Sequence, residues 1–130
     1  MTNHYFGLGD ARKAIEYHEQ ALVIDREIGD RRGEGNALGN LGLAYAALGD
    51  ARKAIEFYEQ ALVIDREIGD RRGEGNALFN MSLSLDKLGD RPQAIAHVQA
   101  ALEIFERIES PYADRVRKQL AEWRGKAGEK

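Results

Sequence analysis

Four asparagines recur at a fixed spacing and are the side chains best placed to do chemistry. Asn36 and Asn40 are four positions apart, and Asn76 and Asn80 repeat the pair forty residues later. A spacing of four places both members of a pair on one face of a helix. Because a carboxamide both donates and accepts hydrogen bonds, this ladder suits the alternating N–H and C=O groups of an extended peptide backbone.

The asparagines also allow a second interpretation. They can be solvated, or bond one another between neighbouring helices, and their recurrence would then follow from duplication of the unit alone. Asn is a poor helix former, so its presence in a helix favours a binding role that gives it another reason to be there.

Catalytic and metal-binding patterns are missing from the sequence. The chain has no cysteine, and the three histidines, His4, His18 and His97, lack the spacing of metal ligands. The segment Gly33-Glu34-Gly35 lacks the third glycine of a phosphate loop and follows a predicted helix, not a strand. We therefore expect a protein that is not an enzyme and that uses no cofactor and no metal.

Charge and hydropathy restrict the partners and the location. The net charge is −3 and the pI about 5.7, which gives no overall attraction to nucleic acid or to an anionic membrane. No segment approaches the roughly 20 apolar residues of a membrane span, and the amino terminus lacks the features of a signal peptide. These features predict a cytoplasmic protein that binds neither nucleic acid nor membrane.

A forty-residue repeat organises the chain. Leu8-Gly9-Asp10 aligns with 48–50 and with 88–90, and residues 8–38 match 48–78 at all but two places, where Tyr17 becomes Phe57 and His18 becomes Tyr58. Each unit contains two amphipathic patterns, here called helix A and helix B, separated by Gly-Asp pairs that can end one helix and cap the next. The pattern predicts a partial helix A over 1–8, a B helix over 10–28, an A–B pair over 31–48 and 51–68, a second pair over 71–88 and 91–108, a capping helix over 111–124, and a frayed tail over 125–130.

Glycines are unusually frequent in helix A. Gly33, Gly35, Gly39 and Gly42 each lower helix propensity by up to about 1 kcal/mol relative to Ala. We interpret them as positions where a neighbouring helix approaches closely.

The residues of one unit resemble the tetratricopeptide repeat, whose pattern of apolar, Gly, Tyr, Ala and aromatic positions is matched by Leu38, Leu41, Gly42, Tyr45, Ala54, Tyr58 and Ala61. The forty-residue period is similar to the long-helix variety found in Pins/LGN adaptors and in bacterial multi-repeat proteins. The resemblance implies an all-α, right-handed superhelical stack of antiparallel helix hairpins, a tetratricopeptide solenoid with a C-terminal capping helix. It also implies a protein-protein interaction module whose A helices line a concave groove.

The candidate groove combines the asparagine ladder with an apolar floor. We expect it to bind a peptide or a partner protein through Asn36, Asn40, Leu43, Asn76, Phe79, Asn80 and Leu83. Phe79 replaces Gly39 of the preceding unit, and two roles remain open for it, an anchor for an apolar ligand side chain or packing against the capping helix. Two pairs of arginines, at 31–32 and 71–72, also have two possible roles. They either bind an acidic peptide or are solvated residues at the start of a helix, and the second role is favoured.

The first B helix lacks most of its A partner, which predicts an uncovered apolar face. The sequence assigns to this face Ala14, Ile15, His18, Ala21 and Leu22. Because repeat units bury their faces only by stacking, the face should dock against another copy, giving a homo-oligomer such as a dimer, or continue into a longer protein. Self-assembly is therefore the alternative function.

Overall fold

The structure is a computed structural model that describes residues 3–128, with side chains described for residues 9–125. This part of the chain forms six helices: α1 (Asn3–Ile28), α2 (Arg31–Ala47), α3 (Ala51–Ile68), α4 (Arg71–Lys87), α5 (Arg91–Arg107) and α6 (Ala113–Gly128). The predicted all-α architecture is confirmed. The helices α2 and α4 are the predicted A helices, and α3 and α5 are their B partners.

Tight Gly-Asp turns make successive helices antiparallel. Gly29, Gly49, Gly69 and Gly89 all adopt positive φ, between 72° and 85°, where a residue with a Cβ would be strained. The aspartate after each glycine caps the next helix; the carboxylate of Asp30, for example, accepts a hydrogen bond of 2.9 Å from the backbone N–H of Gly33. The predicted role of these pairs in ending one helix and starting the next is confirmed at all four turns.

The helices bury two connected cores. The first lies between α1, α2 and α3 and contains Leu22, Leu38 and Leu41. The second extends from α3 to α6, where the side chains of α5 pack against those of α6 such as Val116 and Trp123. Each helix pair therefore shields its neighbour in the stack. Within residues 3–128, no helix combines the length and the apolar character that a bilayer crossing requires.

The predicted break at Gly9-Asp10 is wrong. Both residues lie inside α1, which runs without interruption from Asn3 to Ile28, so the expected partial helix A over 1–8 and the B helix over 10–28 are one helix where the structure describes them. Residues 1 and 2 lie outside the described part. Residues 3–8 amount to fewer than two helical turns, and continuing the helix keeps the i→i−4 hydrogen bonds that a turn would break.

The C-terminal helix also differs from its predicted bounds. It starts at Ala113 instead of 111, because Ser110 and Pro111 form a turn in which the Ser110 hydroxyl accepts a hydrogen bond from the N–H of Tyr112. It continues to Gly128 through most of the tail predicted to fray; residues 129–130 lie outside the described part. Its buried face, with Trp123 among its members, covers the last hairpin as expected of a cap.

The glycines of helix A allow a neighbouring helix to approach closely at some positions only. A Cβ on Gly42 would overlap the ring of Tyr58, and one on Gly35 would come within 3.2 Å of Asp65 and Ile64. Nothing lies within 4 Å of a Cβ on Gly39, so the close-approach interpretation is wrong there. Position 39 faces open space.

Ion pairs join consecutive helices at two equivalent junctions, between α1 and α2 and between α3 and α4. Glu34 is nearly buried, and its carboxylate accepts hydrogen bonds from Arg26 and Arg31. Burial alone would raise the pKa of Glu34, but the two arginines outweigh burial and lower it. Arg66 and Arg71 bind Glu74 in the same way.

Three arginines of the two pairs, Arg31, Arg32 and Arg71, are therefore helix-start residues that form ion pairs at the repeat junctions. Arg31 also pairs with Glu67 of α3, and Arg32 lies 3.3 Å from the carboxylate of Asp70. Of the two interpretations, these contacts favour the structural one over a site for acidic peptides.

Substituting two glycines of α2 should change stability in opposite directions. Gly42→Ala should destabilise the protein by about 1–2 kcal/mol, because the methyl group displaces the Tyr58 ring and the strain exceeds the gain in helix propensity. Gly39→Ala, the matched control, should stabilise it by about 0.5–1 kcal/mol, since its methyl group meets open space. Urea unfolding followed by circular dichroism measures both values. Equal effects of the two substitutions would contradict the proposed packing of Tyr58 on Gly42.

Candidate functional site

A groove lies between α2 and α4, and α3 forms its floor. Its larger pocket has a volume of about 510 Å³. The four asparagines of the ladder all line this pocket, two from each A helix, namely Asn36, Asn40, Asn76 and Asn80. The forty-residue repeat brings them together because equivalent positions on stacked A helices face the same side.

The carboxamides are available to a ligand. Asn36, Asn40 and Asn76 are exposed, and Asn80 is half-buried. Within the described part of the chain, none of the four side chains is hydrogen-bonded to another of them. The structure thus does not show the asparagines bonding one another between helices; their side chains line the open groove instead.

An apolar end continues the groove toward the carboxyl ends of α2 and α4. A second pocket of about 340 Å³ shares Leu43, Tyr58 and Asn80 with the first and adds Leu83. Leu43 is half exposed and lines both pockets, so it offers an apolar surface to a ligand. The predicted floor residues Leu43 and Leu83 thus lie together at this end.

Phe79 is packed inside the protein and is not exposed as an anchor. Only 2% of it is exposed, and its ring meets that of Tyr112 edge to face at a centroid distance of 6.0 Å. The guanidinium of Arg115 lies over the Phe79 ring at 5.7 Å. Of the two roles left open for Phe79, the structure supports packing against the C-terminal cap. Phe79 still lines the larger pocket, from the side of α4.

Asp65, which is not among the site residues predicted from the sequence, also lines the larger pocket. It is 6% exposed although it is a carboxylic acid. A signal was present: Ala54, Tyr58, Ala61 and Asp65 follow one another at intervals of four and three, so an acid occupies the buried stripe of α3. A charged residue on an apolar stripe is a candidate for function.

Burial perturbs the two ionisable groups on the floor of the groove. Desolvation raises the pKa of Asp65 to about 6, and the negative charges of Asp70 and Glu74 add to the rise while Arg32 opposes it. Desolvation likewise raises the pKa of Tyr58 to about 12, so this hydroxyl stays protonated. The groove therefore holds one acid whose charge depends on pH in a range near neutrality.

The uncovered face of α1 is real, but the predicted residues do not form it. Ile15 and Leu22 pack into the core against α2, because they belong to the stripe that faces the helix's own neighbour. Ala21 is half-buried, and Ala14 and His18 line a shallow hollow of about 360 Å³ beside Asn40 and Leu43. The assignment of these five residues to a self-association face needs correction.

A different stripe of α1 is exposed. Tyr17 is 62% exposed, Ile24 54% and Ile28 69%, although the equivalent Ile64 of α3 is only 4% exposed. In α3 the corresponding stripe packs against the preceding helices in the first core. The intervals of seven and four between Tyr17, Ile24 and Ile28 could have revealed this second stripe in the sequence.

Metal-binding geometry is not found in the described residues, where no group of three His, Cys, Asp or Glu side chains could hold an ion. The side chain of His4 lies outside the described part. His97 is half-buried on α5, and its Nδ1 atom lies 2.9 Å from the carbonyl oxygen of Gln93 one turn earlier.

Comparison with known proteins identifies similar chains. Fifty per cent of 42 aligned residues are identical to G-protein-signaling modulator 1 of Homo sapiens, and 44% of 41 residues to its Mus musculus counterpart. Each alignment covers 32% of this chain and only 6% of the relative.

Solved structures share the fold over most of the chain. The apo form of RapI superposes with a TM-score of 0.86 at 20% identity, over 96% of this chain and 46% of RapI. BtubC from P. vanneervenii superposes with a TM-score of 0.80 at 28% identity, over 88% of this chain and 48% of BtubC. The chain thus spans less than half of each of these structures.

A family model described as tetratricopeptide repeat matches residues 3–67 and 36–107. These two overlapping matches cover most of the chain and coincide with the stacked hairpins of α1 to α5. The repeated helix pairs and the matched residues agree: the chain belongs to the tetratricopeptide repeat family.

Proposed function

We propose that this protein binds a peptide segment of a partner protein in the groove between α2 and α4. Tetratricopeptide repeats generally mediate protein-protein interaction. The observation that carries the proposal is the convergence of four free carboxamides on one groove, lined by Asn36, Asn40, Asn76 and Asn80. Exposed carboxamides at regular spacing can pair with a peptide backbone of any sequence, while the apolar end selects a side chain.

The proposed partner is a protein, since the groove does not favour nucleic acid. The only charged side chain lining the larger described pocket is the acid Asp65, which would repel phosphates. Proteins of this family are typically not enzymes, and we propose that this one acts as an adaptor or scaffold without a cofactor. A cytoplasmic location agrees with a composition that contains no cysteine.

Replacing the asparagine ladder by alanine should abolish peptide binding without unfolding the protein. Peptides selected on the wild-type chain from a random displayed library should bind Asn36→Ala/Asn40→Ala/Asn76→Ala/Asn80→Ala about a thousandfold more weakly, as four lost hydrogen bonds of roughly 1 kcal/mol each would give. Titration calorimetry measures the affinity, and circular dichroism should show unchanged helix content because alanine is the better helix former.

Three glutamines outside the groove provide the matched control. Gln20→Ala/Gln60→Ala/Gln93→Ala removes exposed carboxamides from α1, α3 and α5 and should leave the affinity unchanged. If the asparagine variant binds the selected peptides as well as the wild type does, the groove assignment fails.

We propose self-association through α1 as a second function. The exposed stripe of Tyr17, Ile24 and Ile28 repeats the α3 stripe that packs against a helix pair, so it fits another hairpin of the same kind. A second copy of this chain supplies such a surface, and pairing two exposed stripes removes both from water.

Charges on the exposed stripe should prevent dimer formation. Ile24→Glu/Ile28→Glu should be monomeric at concentrations where the wild-type chain is a dimer, because dimerisation would bury the new carboxylates. Val63→Glu is the control, since Val63 is 56% exposed but lies outside this stripe, and it should remain dimeric. Sedimentation equilibrium measures the mass. A wild-type chain that stays monomeric at high micromolar concentration rules out this second function.

A further inference from the structure

Asp65 occupies a slot built from two glycines. A Cβ on Gly73 of α4 would lie 2.9 Å from the Cγ atom of Asp65, and one on Gly35 of α2 would lie 3.2 Å from its Oδ1 atom. The carboxylate is therefore held between the two A helices at the floor of the groove, where larger residues at 35 and 73 would exclude it. Because the slot fits the carboxylate this closely, it fixes the position and the orientation of the Asp65 carboxylate.

The three units of the chain differ at this position. Asp25 is the equivalent of Asp65 in the first unit, but it does not line the larger pocket. Phe105 takes the position in the third unit and fills the corresponding slot against Gly75. The chain thus contains one groove-lining acid, one equivalent acid outside the groove and one apolar replacement.

The Asp65 carboxylate is not neutralised by its neighbours. Within the described residues no hydrogen bond or ion pair is formed by its side chain. The charged groups that act on it are Arg32 from α2, Glu74 from α4 and Asp70 at the turn before α4. Arg32 is already paired with Asp70 at 3.3 Å, and Arg66 and Arg71 are paired with Glu74. Asp70 and Glu74 each raise the pKa of Asp65 more than Arg32 lowers it.

We propose that Asp65 receives a cationic group of the bound peptide, an ammonium or a guanidinium, at the floor of the asparagine-lined groove. This inference rests on the proposed peptide-binding function and assigns the class of ligand to it. A cation in the groove would supply the opposite charge, and it would give the Asp65 carboxylate hydrogen bonds that no described residue provides. The adjacent carboxamides would hold the peptide backbone on either side.

The apolar end of the groove sets a spacing between two ligand side chains. Gly35, beside the carboxylate, and Leu43 are eight positions apart on α2, which corresponds to about 12 Å along the helix axis. An extended peptide covers that distance in about four residues, and side chains at i and i+4 of an extended chain lie on one face. The preferred ligand thus carries a cationic residue and an apolar residue four positions apart.

Acid should weaken this binding. The pKa of Asp65 is about 6, so protonation removes its charge as the pH falls from 8 to 5. A bound cation favours the ionised form, hence the affinity should fall by about tenfold over this range. Asp70, Glu74 and Arg32 face the same carboxylate, and the cation in the groove would also feel the two acids.

Short peptides of defined sequence test the inference. Two acetylated and amidated pentapeptides carry Lys and Leu at opposite ends with three Ala between them, Lys first in one and Leu first in the other, so that both chain directions are tested. Norleucine replaces Lys in two further peptides to remove only the charge. A fifth peptide has Ala in place of Lys and a free N-terminal amine, which distinguishes a terminal ammonium from a side-chain ammonium. Amide chemical shifts in NMR titrations report binding and its location.

The expected result is that at least one cationic peptide shifts the amides of Gly35, Asp65 and Gly73 and binds about tenfold or more tightly than its norleucine counterpart. Asp65→Asn should remove this preference, and Asp25→Asn should keep it, because Asp25 does not line the groove. Equal binding of charged and neutral peptides, an unchanged preference in Asp65→Asn, or no binding of any cationic peptide would overturn the inference.

The failure of this inference can be separated from failure of the groove. Suppose that neutral peptides bind the wild type as tightly as cationic peptides do, and that they lose binding in the four-asparagine variant. This result would support the peptide-binding groove and contradict the cation site at Asp65. If cationic peptides bind the four-asparagine variant with full affinity, the proposed peptide-binding function of the groove is contradicted instead.

Thermal stability gives a readout that needs no ligand. Asp65→Asn should raise the melting temperature at pH 8. The folded wild type is destabilised because its desolvated carboxylate is ionised, whereas the amide of Asn is neutral and avoids this cost. The difference should shrink as the pH falls below 6 and vanish below the unfolded value of 3.8, where Asp65 is protonated in both states. A lower melting temperature of Asp65→Asn at pH 8 would show that the charge is compensated within the protein, and the inference would fail.

Discussion

The structure depends on burying two apolar stripes of a B helix such as α3 at once. One stripe packs against the A helices that flank it, and the other packs against the preceding hairpin, as Ile64 of α3 does in the first core. Neither stripe can be buried within a single hairpin, so the fold requires a stack. This requirement explains both the groove between successive A helices and the uncovered stripe on α1. The proposed binding surface and the proposed self-association surface thus arise from the same packing rule.

Close packing within the stack depends on paired residue sizes, and the third unit shows how the sizes adjust. In the second unit Gly42 admits the ring of Tyr58; in the third, Ser82 takes the glycine position and the smaller Val98 takes that of the tyrosine. Both of these replacements are fully buried, and the Ser82 hydroxyl donates a hydrogen bond to the carbonyl of Phe79. The larger side chain at position 82 thus accompanies a smaller one at position 98, so the departure from the repeat pattern avoids a clash and leaves the hairpin intact.

Much of the fold and part of the site follow from the sequence, because they depend on local rules. The Gly-Asp turns require left-handed glycines and capping aspartates, and the ladder requires only helical spacing and a constant period. The errors arise where packing decides. Gly9 has the sequence of a turn, yet the described residues before it continue α1, so the chain stays helical there. Phe79 could be an exposed anchor by sequence, yet Tyr112, in the turn before α6, covers it. The two stripes of α1 are both apolar, so their assignment to α2 or to solvent required the arrangement of the helices.

Asp65 separates the requirements of stability from those of binding. Its pKa is raised above the unfolded value, so the folded state is favoured by this group below pH 3.8 and loses that advantage as the pH rises through 6. At neutral pH the carboxylate therefore weakens the fold. An apolar side chain is compatible with the same position, as Phe105 shows in the third unit, so packing alone does not demand an acid there. A group that opposes folding, faces the groove and lacks an internal partner is best accounted for by a ligand that compensates its charge.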